Sequence, residues 1–462
     1  MKPGIRKIIN RLFIAAGVLF FVAMESKGQV ISPEQNYAVN SPGVAMVQTV
    51  FSATVYVNKV EMNKRRFSHL VDSVKHLDTT GRLLSSQQKL DIVVRALYNN
   101  PVRYLSGTTQ YFRQQHRILS SGTGFFITGD GYLVTNCHII DRDSAYIKQE
   151  FILSTFQEVT DANINSLQSS WEVTLTSEQR DLLSNAYGVI YSQVSSMILF
   201  DLQREIFVLF REDNGTDESV QKKLPARVII KGKAMPGKDV AILKVDSVTR
   251  MPALSLSLNR FARIGEQVFV YGYPEPVTSN VFLAQEKNID PTLTVGVISA
   301  AKKSVGGWPV LQMDATITHG SSGSPVCDKR GQVIGLATFG TLEQATGALA
   351  AGYNFAIPVS IVREFIDSVK IKPSVSKASI AYNEGLDFFY KEYYSKALGQ
   401  FQATKKLNKN YPQLTYYINI CNAEIKEGND KESFTQKTSV KVMALVLLVL
   451  GLLVFFRWKG KI

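Results

Sequence analysis

Short apolar runs separated by glycines dominate the chain between about residues 118 and 367. Two of them read "GTGFFITGDGYLVTNCHII" and "GQVIGLATFG". The GDG triplet between apolar runs is typical of a β-hairpin. Many short strands with turns between them predict a β-barrel or a sandwich. Residues 41–58 are rich in valine, carry few charges and predict a further strand.

Two polar segments with a helical period interrupt this pattern, at about residues 60–117 and 144–205. In the first, Ser85 followed three residues later by Gln88 is a candidate capping box. The apolar stripe behind it consists of Leu90, Val93, Val94 and Leu97. The second segment repeats the pattern with Thr176 and Gln179, followed by Leu183, Tyr187, Ile190, Val194 and Met197. We therefore predict helical insertions within a β domain.

A further helical segment follows a predicted linker at residues 370–379. In it, Gly385, Ala397 and Phe401 are separated by twelve and four residues, and the small residues allow two helices to approach closely. With a third helix at about 412–427, this segment resembles one tetratricopeptide unit. Two interpretations stay open, because the period occurs only once. The segment is either such a unit, with a protein partner, or a plain helical hairpin that serves as a spacer.

Both ends of the chain are apolar next to basic residues. The run at residues 12–24 follows a basic stretch and predicts a signal peptide over 1–28, with an uncleaved N-terminal anchor as the alternative. Residues 442–456 are wholly apolar and end in cations, which predicts a transmembrane helix at 440–457. We therefore expect an exported protein, anchored in the membrane with its body on the periplasmic, extracytoplasmic side.

Length, net charge and cysteine count limit the possible folds and partners. The 462 residues exceed one ordinary hydrophobic core and predict two or three folded units. The formal net charge is +13, but the basic residues beyond the N-terminus are scattered, so we expect no nucleic-acid partner. Three cysteines exclude a fully paired framework. Cys137 and Cys327 lie near candidate catalytic residues, and packed free thiols are favoured over a bridge between them.

The segment "MDATITHGSSGSPV" at residues 313–326 contains the candidate nucleophile, Ser322. A serine hydroxyl needs a neighbouring base to attack a carbonyl carbon, and the resulting oxyanion needs fixed N–H donors. Gly320 lacks a Cβ and is free to turn its N–H inward. The backbone N–H groups of Gly320 and Ser322 are therefore the candidate donors.

His138 is the candidate base, because it ends an apolar strand that runs into a turn. His69, His76 and His116 lie in polar surroundings and are expected to be solvated. Asp239 directly precedes the apolar strand "VAILKV" and is the candidate carboxylate that orients the imidazole. The other carboxylates near these positions are weaker candidates: Asp141, Asp143 and Asp246.

Seven segments appear in the order found in trypsin-type serine proteases, and together they most resemble the HtrA-like branch. They are "SSGTGFFITGDGYLVTNCHII", "DVAILKV", "IGEQVFVYGYPEP", "TVGVISA", "DATITHGSSGSPV", "GQVIGLATFG" and "YNFAIPVSIV". The resemblance covers about residues 41–367 outside the insertions. It implies a mainly β fold, with two six-stranded β-barrels and the site between them. It also implies His138 as base, Asp239 as orienting acid, Ser322 as nucleophile, and Gly320 and Ser322 as oxyanion-hole donors.

The chain departs from this family pattern in two further ways. Ser324 stands where the family usually has a second glycine after the nucleophile. No PDZ-like domain is evident after residue 367, where the helical segment stands instead. By resemblance, the substrate pocket is flanked by Thr316, Ile317 and Thr318 and by residues 336–339 of the next strand. None of these is charged, which argues against a preference for Lys or Arg. Thr338, within that strand, and His319 leave a polar or acidic preference open, although His319 fits a surface loop equally well.

The expected function is that of a serine endopeptidase cleaving protein or peptide substrates, with envelope protein quality control as a candidate role. The competing hypothesis is a catalytically silent protease-fold scaffold that assembles partners through its helical parts. No cofactor or metal is expected, because no Cys, His or Asp cluster has ligand spacing. The predicted organisation is a signal peptide at 1–28, a protease domain at 29–369, a linker at 370–379, a tetratricopeptide-like unit at 380–430 and a transmembrane helix at 440–457.

Overall fold

The computed structural model describes residues 30–79, 84–194, 198–216, 219–258, 262–275, 290–342 and 349–431. Its strands are β1 (Val44–Met62), β2 (Leu105–Phe126), β3 (Tyr132–Thr135), β4 (Ile198–Asp213), β5 (Ser219–Lys231), β6 (Ala241–Val245), β7 (Gln267–Gly272), β8 (Thr292–Lys303), β9 (Pro309–Met313), β10 (Pro325–Cys327), β11 (Val333–Leu342) and β12 (Leu349–Pro358). Its α-helices are α1 (Pro33–Asn40), α2 (Lys64–Thr79), α3 (Ser86–Asn99), α4 (Pro101–Tyr104), α5 (Cys137–Ile140), α6 (Ser144–Trp171), α7 (Ser177–Val194), α8 (Val359–Ser368), α9 (Lys377–Phe389), α10 (Tyr394–Leu407) and α11 (Leu414–Glu427).

The strands form two closed six-stranded barrels. Their strand orders are β1-β2-β3-β6-β5-β4 and β10-β11-β12-β9-β8-β7. Every strand pairing with a described register is antiparallel. Closure leaves no free sheet edge, which a series of short strands otherwise exposes. This is the strand arrangement that the resemblance implied.

The helical insertions are shorter than the sequence pattern indicated. The first contains α2, α3 and α4, and residues 105–117 belong to strand β2 instead. The second contains α6 and α7, and strand β4 already begins at Ile198. The end of the first segment contains Thr108, Thr109, Tyr111 and Phe112, which are residue types that favour strand over helix once a neighbouring strand is available for pairing.

The chain divides into two compact units. One consists of the described residues of Met1–Val47, Ser121–Ile139 and Phe207–Ile462. Its core is an apolar cluster to which both barrels contribute fully buried side chains, among them Val134 and Ile242 from the first and Leu336 and Ile357 from the second. At about 25 cal/mol per Å² of buried apolar surface, such a core is the main source of stability of the unit.

The other unit consists of Gln48–Ser120 and Ile140–Ile206. Both predicted capping boxes are present in it. Ser85 and Gln88 cap α3 reciprocally, and Thr176 and Gln179 exchange the same two hydrogen bonds at 3.2 and 3.1 Å before α7. The predicted stripe residues are buried: Leu90, Val93, Val94, Leu97, Leu183, Tyr187 and Ile190. Met197 and the side chain of Val194 lie outside the described residues.

Helices α9, α10 and α11 pack around an aromatic cluster. Gly385 lies against Phe401, and a Cβ at residue 385 would come within 2.6 Å of the Phe401 ring. The helices are also attached to the first barrel, because the Asp213 carboxylate accepts the N–H of Thr415 at 2.6 Å and its hydroxyl at 2.8 Å. In the predicted linker, the Ser374 N–H donates to the Ile127 carbonyl at 3.1 Å. The close helix approach expected from the small residues is therefore present.

The predicted signal peptide at 1–28 and the predicted transmembrane helix at 440–457 lie outside the described residues. Among the helices that are described, none has the length and apolar character needed to cross a membrane.

Candidate active site

His138 and Asp239 lie at adjacent strand ends. Strands β3 and β6 pair antiparallel with Thr135 opposite Ala241. The chain turns after β3 into the one-turn helix α5, whose second residue is His138, and Asp239 stands two residues before β6. Strand pairing therefore brings together two residues that are 101 positions apart in the sequence.

A direct hydrogen bond joins the two side chains. Nδ1 of His138 lies 2.6 Å from Oδ2 of Asp239, and Oδ1 accepts the backbone N–H of His138 at 2.9 Å. The Asp239 side chain is fully buried, whereas that of His138 is 32% exposed. An ionised carboxylate only accepts hydrogen bonds, so the imidazole proton stands on Nδ1 and Nε2 is left as an acceptor. This is the tautomer that a general base needs.

Thr338 connects this pair to Ser322. The Thr338 hydroxyl donates to Oδ2 of Asp239 at 2.9 Å. The Ser322 hydroxyl donates to the carbonyl oxygen of Thr338 at 2.8 Å. In the described residues no hydrogen bond joins Ser322 to His138. The structure thus places all three predicted catalytic residues in one hydrogen-bonded chain, with Ser322 attached through Thr338.

The backbone around Ser322 contains two N–H groups without an acceptor. Ser321, Gly323 and Ser324 each donate their N–H to a carbonyl oxygen, at distances from 2.9 to 3.1 Å. The N–H groups of Gly320 and Ser322 have no such acceptor within the described part of the chain. These are the two donors that the sequence predicted. Unpaired N–H groups in a folded loop are rare, so both are available to a ligand atom.

Gly320 occupies a conformation that requires glycine. Its φ is +87°, and a Cβ there would lie 2.3 Å from the Tyr273 carbonyl oxygen. The preceding carbonyl, that of His319, accepts the Glu275 N–H at 2.7 Å. Because C=O and N–H of a trans peptide point in opposite directions, the Gly320 N–H points away from Glu275.

The five predicted pocket residues differ in accessibility. Thr316 and His319 are exposed and Thr318 is half-buried. Ile317 is buried in the apolar cluster of the second barrel, and Thr338 is buried against Asp239. Of these five residues, Thr316, Thr318 and His319 therefore have side chains that a ligand can reach.

The weaker carboxylate candidates and His116 have other partners among the described residues. Asp141 pairs with Arg204, Asp246 pairs with Arg227, and Asp143 caps α6. His116 was expected to be solvated, and this is wrong. It lies on strand β2, where alternation turns its side chain inward, and Nε2 lies 3.6 Å from the Glu158 carboxylate. The described residues contain no group of three or more His, Cys, Asp and Glu that could hold a metal ion.

The cysteines are packed in the interior. Cys137, Cys327 and Cys421 are all buried, and no disulfide joins them. The Cys137 thiol donates to the Gly232 carbonyl at 3.3 Å. Burial raises the pKa of the Cys327 thiol well above its ordinary value, so this thiol stays neutral and unreactive in the folded protein.

Ser324 fits against a glycine of the second barrel. Its hydroxyl is fully buried and has no hydrogen-bond partner among the described residues. A Cβ on Gly272 would come within 2.2 Å of that oxygen. Because Gly272 has no side chain, the serine side chain at residue 324 has enough space.

A family model of known proteins matches part of this chain. Residues 122–336 match the model of the trypsin-like peptidase domain. This stretch is similar to a trypsin-like peptidase domain, and it includes the three residues that the sequence predicted as catalytic, His138, Asp239 and Ser322.

Curated relatives are serine endoproteases. A DegP-like periplasmic serine endoprotease of Rhizobium meliloti is 25% identical over 261 residues, covering 56% of this chain and 35% of that protein. The serine endoprotease DegS of Escherichia coli is 28% identical over 135 residues, covering 28% of this chain and 35% of that protein. The chain thus spans about a third of the length of these relatives. Among solved structures, the HtrA-type protease AlgW with a decapeptide has 18% identity and a TM-score of 0.36, covering 74% of this chain and 68% of that chain.

Proposed function

We propose that this protein is an HtrA-like serine endopeptidase that cleaves protein or peptide substrates. The observation that carries the proposal is the hydrogen bond between His138 and the buried Asp239, beside a serine loop with two free N–H donors. A buried carboxylate fixes one imidazole tautomer, and the free donors offer a place for a developing oxyanion.

The proposed reaction begins with the transfer of the Ser322 hydroxyl proton to Nε2 of His138. Oγ attacks the scissile carbonyl carbon, and Asp239 stabilises the imidazolium that forms. The N–H groups of Gly320 and Ser322 bind the oxyanion. His138 then protonates the leaving amine, and water hydrolyses the acyl-enzyme by the same steps.

Ser322 must leave the Thr338 carbonyl before it reacts. A rotation about its Cα–Cβ bond breaks this contact, and an Oγ hydrogen bond to a neutral carbonyl is weak enough to exchange. Hydrogen bonds between catalytic groups are often absent without substrate and form in the complex. This arrangement is therefore compatible with the mechanism.

We also propose an extracytoplasmic location, with the signal peptide and the C-terminal anchor as predicted. The support is the apolar character of the two ends and the description of one relative as periplasmic. Envelope protein quality control is a role consistent with that location. The helices α9–α11 are proposed to act as a tetratricopeptide-like unit with a protein partner, supported by the close packing of Gly385 on Phe401.

Labelling with a fluorescent fluorophosphonate tests the activity. We expect the wild-type protein to be labelled, Ser322→Ala to remain unlabelled, and Ser324→Ala to be labelled like the wild type, since the Ser324 hydroxyl has no partner. Equal labelling of wild type and Ser322→Ala would contradict the proposal. A wild-type protein that neither labels nor cleaves a peptide library would favour the silent scaffold instead.

Fractionation of cells tests the location. We expect the full-length chain in the membrane fraction and its domain accessible to an added protease after the outer barrier is opened. Deletion of residues 440–462 should release the protein in soluble form. A protein recovered in the cytosol would contradict both the export and the anchor.

A further inference from the structure

Thr123 is a fully buried residue of strand β2 that uses every polar group it has. Its hydroxyl donates to the Gly320 carbonyl at 2.8 Å and accepts the Tyr273 N–H at 3.0 Å. Its backbone N–H donates to the Ser322 carbonyl at 2.7 Å. Its own carbonyl accepts the Thr135 hydroxyl at 2.7 Å.

Two of these four bonds end on the residues that supply the free N–H groups. Thr123 holds the carbonyl of Gly320 and the carbonyl of Ser322, which lie two residues apart in the loop. No other residue among those described bonds to the carbonyl oxygens of both. The two residues that supply the donors are thus held by one side-chain group and one backbone group of Thr123.

The peptide plane between Gly320 and Ser321 links the two planes that carry the free N–H groups. It is held by two bonds, one from the Thr123 hydroxyl to the Gly320 carbonyl and one from the Ser321 N–H to the Thr318 carbonyl. The plane that carries the Gly320 N–H is held separately, by the Glu275 N–H on the preceding carbonyl. Loss of the Thr123 hydroxyl therefore leaves the linking plane with one of its two bonds.

We propose that Thr123 is a positioning residue of the oxyanion site. By holding the peptide between Gly320 and Ser321, its hydroxyl fixes how the Gly320 and Ser322 N–H groups are oriented relative to each other. The inference rests on the proposed serine endopeptidase activity. Thr123 touches neither the substrate nor the reacting atoms, so its effect is transmitted through that linking peptide. It adds a function to the "GTG" segment, which the sequence pattern predicts only as part of a strand.

The chemistry of the site explains why a hydroxyl is needed there. Only a group that donates and accepts at once can bridge the Tyr273 N–H and the Gly320 carbonyl. Valine has nearly the shape of threonine but does neither, and both backbone groups would then stay buried without partners. Serine preserves both bonds and loses only a methyl group.

The test is the rate of inactivation by a fluorophosphonate, resolved into kinact and KI, on the full chain. We expect Thr123→Val to lower kinact about 10- to 100-fold, as expected for a misplaced donor, with little change in KI. Thr123→Ser should stay within about threefold of the wild type, since the bridging hydroxyl is retained. The matched control is Thr404→Val, which removes a fully buried hydroxyl in helix α10, far along the chain from the site.

The outcomes separate this inference from the proposed function. If the wild type is not inactivated, the proposed function itself fails. If the wild type is inactivated and Thr123→Val has the same kinact, the positioning role is wrong. If circular dichroism shows that Thr123→Val is unfolded, the pair Thr123→Ser and Thr123→Ala decides, because these differ only in the hydroxyl. Equal kinact values for that pair would overturn the inference.

Discussion

The Ser322 hydroxyl donates to the carbonyl oxygen of Thr338 at 2.8 Å, and the Thr338 hydroxyl donates to the Asp239 carboxylate at 2.9 Å. Asp239 also binds Nδ1 of His138. Thr338 therefore contacts both the proposed nucleophile, Ser322, and the proposed orienting acid, Asp239. Groups connected in this way act as a unit, and removing one of them removes the function of the others.

The first prediction concerns this unit. Ser322→Ala, His138→Ala and the double variant should each lose roughly a thousandfold or more in kcat, and all three to the same residual level. Without the base, Ser322 is no longer activated, and without the nucleophile, the base has no proton to take. Cleavage of a fluorogenic peptide selected from a library provides the measurement. A double variant that is much slower than either single variant would show that the two residues act independently.

The second prediction concerns the buried carboxylate. Asp239→Asn should lower kcat by on the order of 10⁴-fold, because an amide that donates to Nδ1 moves the imidazole proton to Nε2. Thr338→Val removes one hydrogen bond to a charged group and should cost about tenfold. Steady-state rates of the two variants on the same peptide test whether Asp239→Asn loses more activity than Thr338→Val. An Asp239→Asn variant as active as Thr338→Val would refute the assigned tautomer.

The third prediction concerns Ser324 and Gly272. Ser324→Ala removes a buried hydroxyl without a partner, and the free energy of unfolding should stay unchanged or rise by about 1 kcal/mol. Gly272→Ala places a Cβ against that hydroxyl and should destabilise the protein by about 1–3 kcal/mol. The double variant should recover much of this loss, because the two side chains compete for one space. Urea denaturation of the wild type, the two single variants and the double variant measures the four free energies of unfolding. Additive effects of the two substitutions would contradict the contact.

The fourth prediction compares two glycines of the C-terminal helices. Gly385→Val introduces atoms against the Phe401 ring and should lower the free energy of unfolding by about 1–3 kcal/mol or more. A Cβ added at Gly399, in α10, would have no atom of the described residues within 4 Å. Gly399→Ala should therefore stabilise the protein by about 0.5–1 kcal/mol through helix propensity. Thermal unfolding followed by circular dichroism distinguishes the two, and a neutral Gly385→Val would show that the helices separate easily.

The sequence by itself determined the features that depend on residue type and on short spacing. The capping boxes at Ser85 and Thr176 were predictable, because a side chain and the N–H three residues later meet within one helical turn. So was the requirement for glycine at Gly320, since only glycine accepts its φ without strain. The order of the family segments indicated His138, Asp239 and Ser322 without any coordinates.

Only the tertiary structure decided which distant groups meet. Thr123 contacts Gly320 across 197 residues, and Ser322 contacts Thr338 on another strand. The burial of His116 depends in the same way on the face that strand β2 turns inward. These contacts follow from the register of paired strands, which depends on the whole barrel and leaves no local signal in the chain. The sequence therefore determined the chemical groups, and strand pairing decided how they are connected.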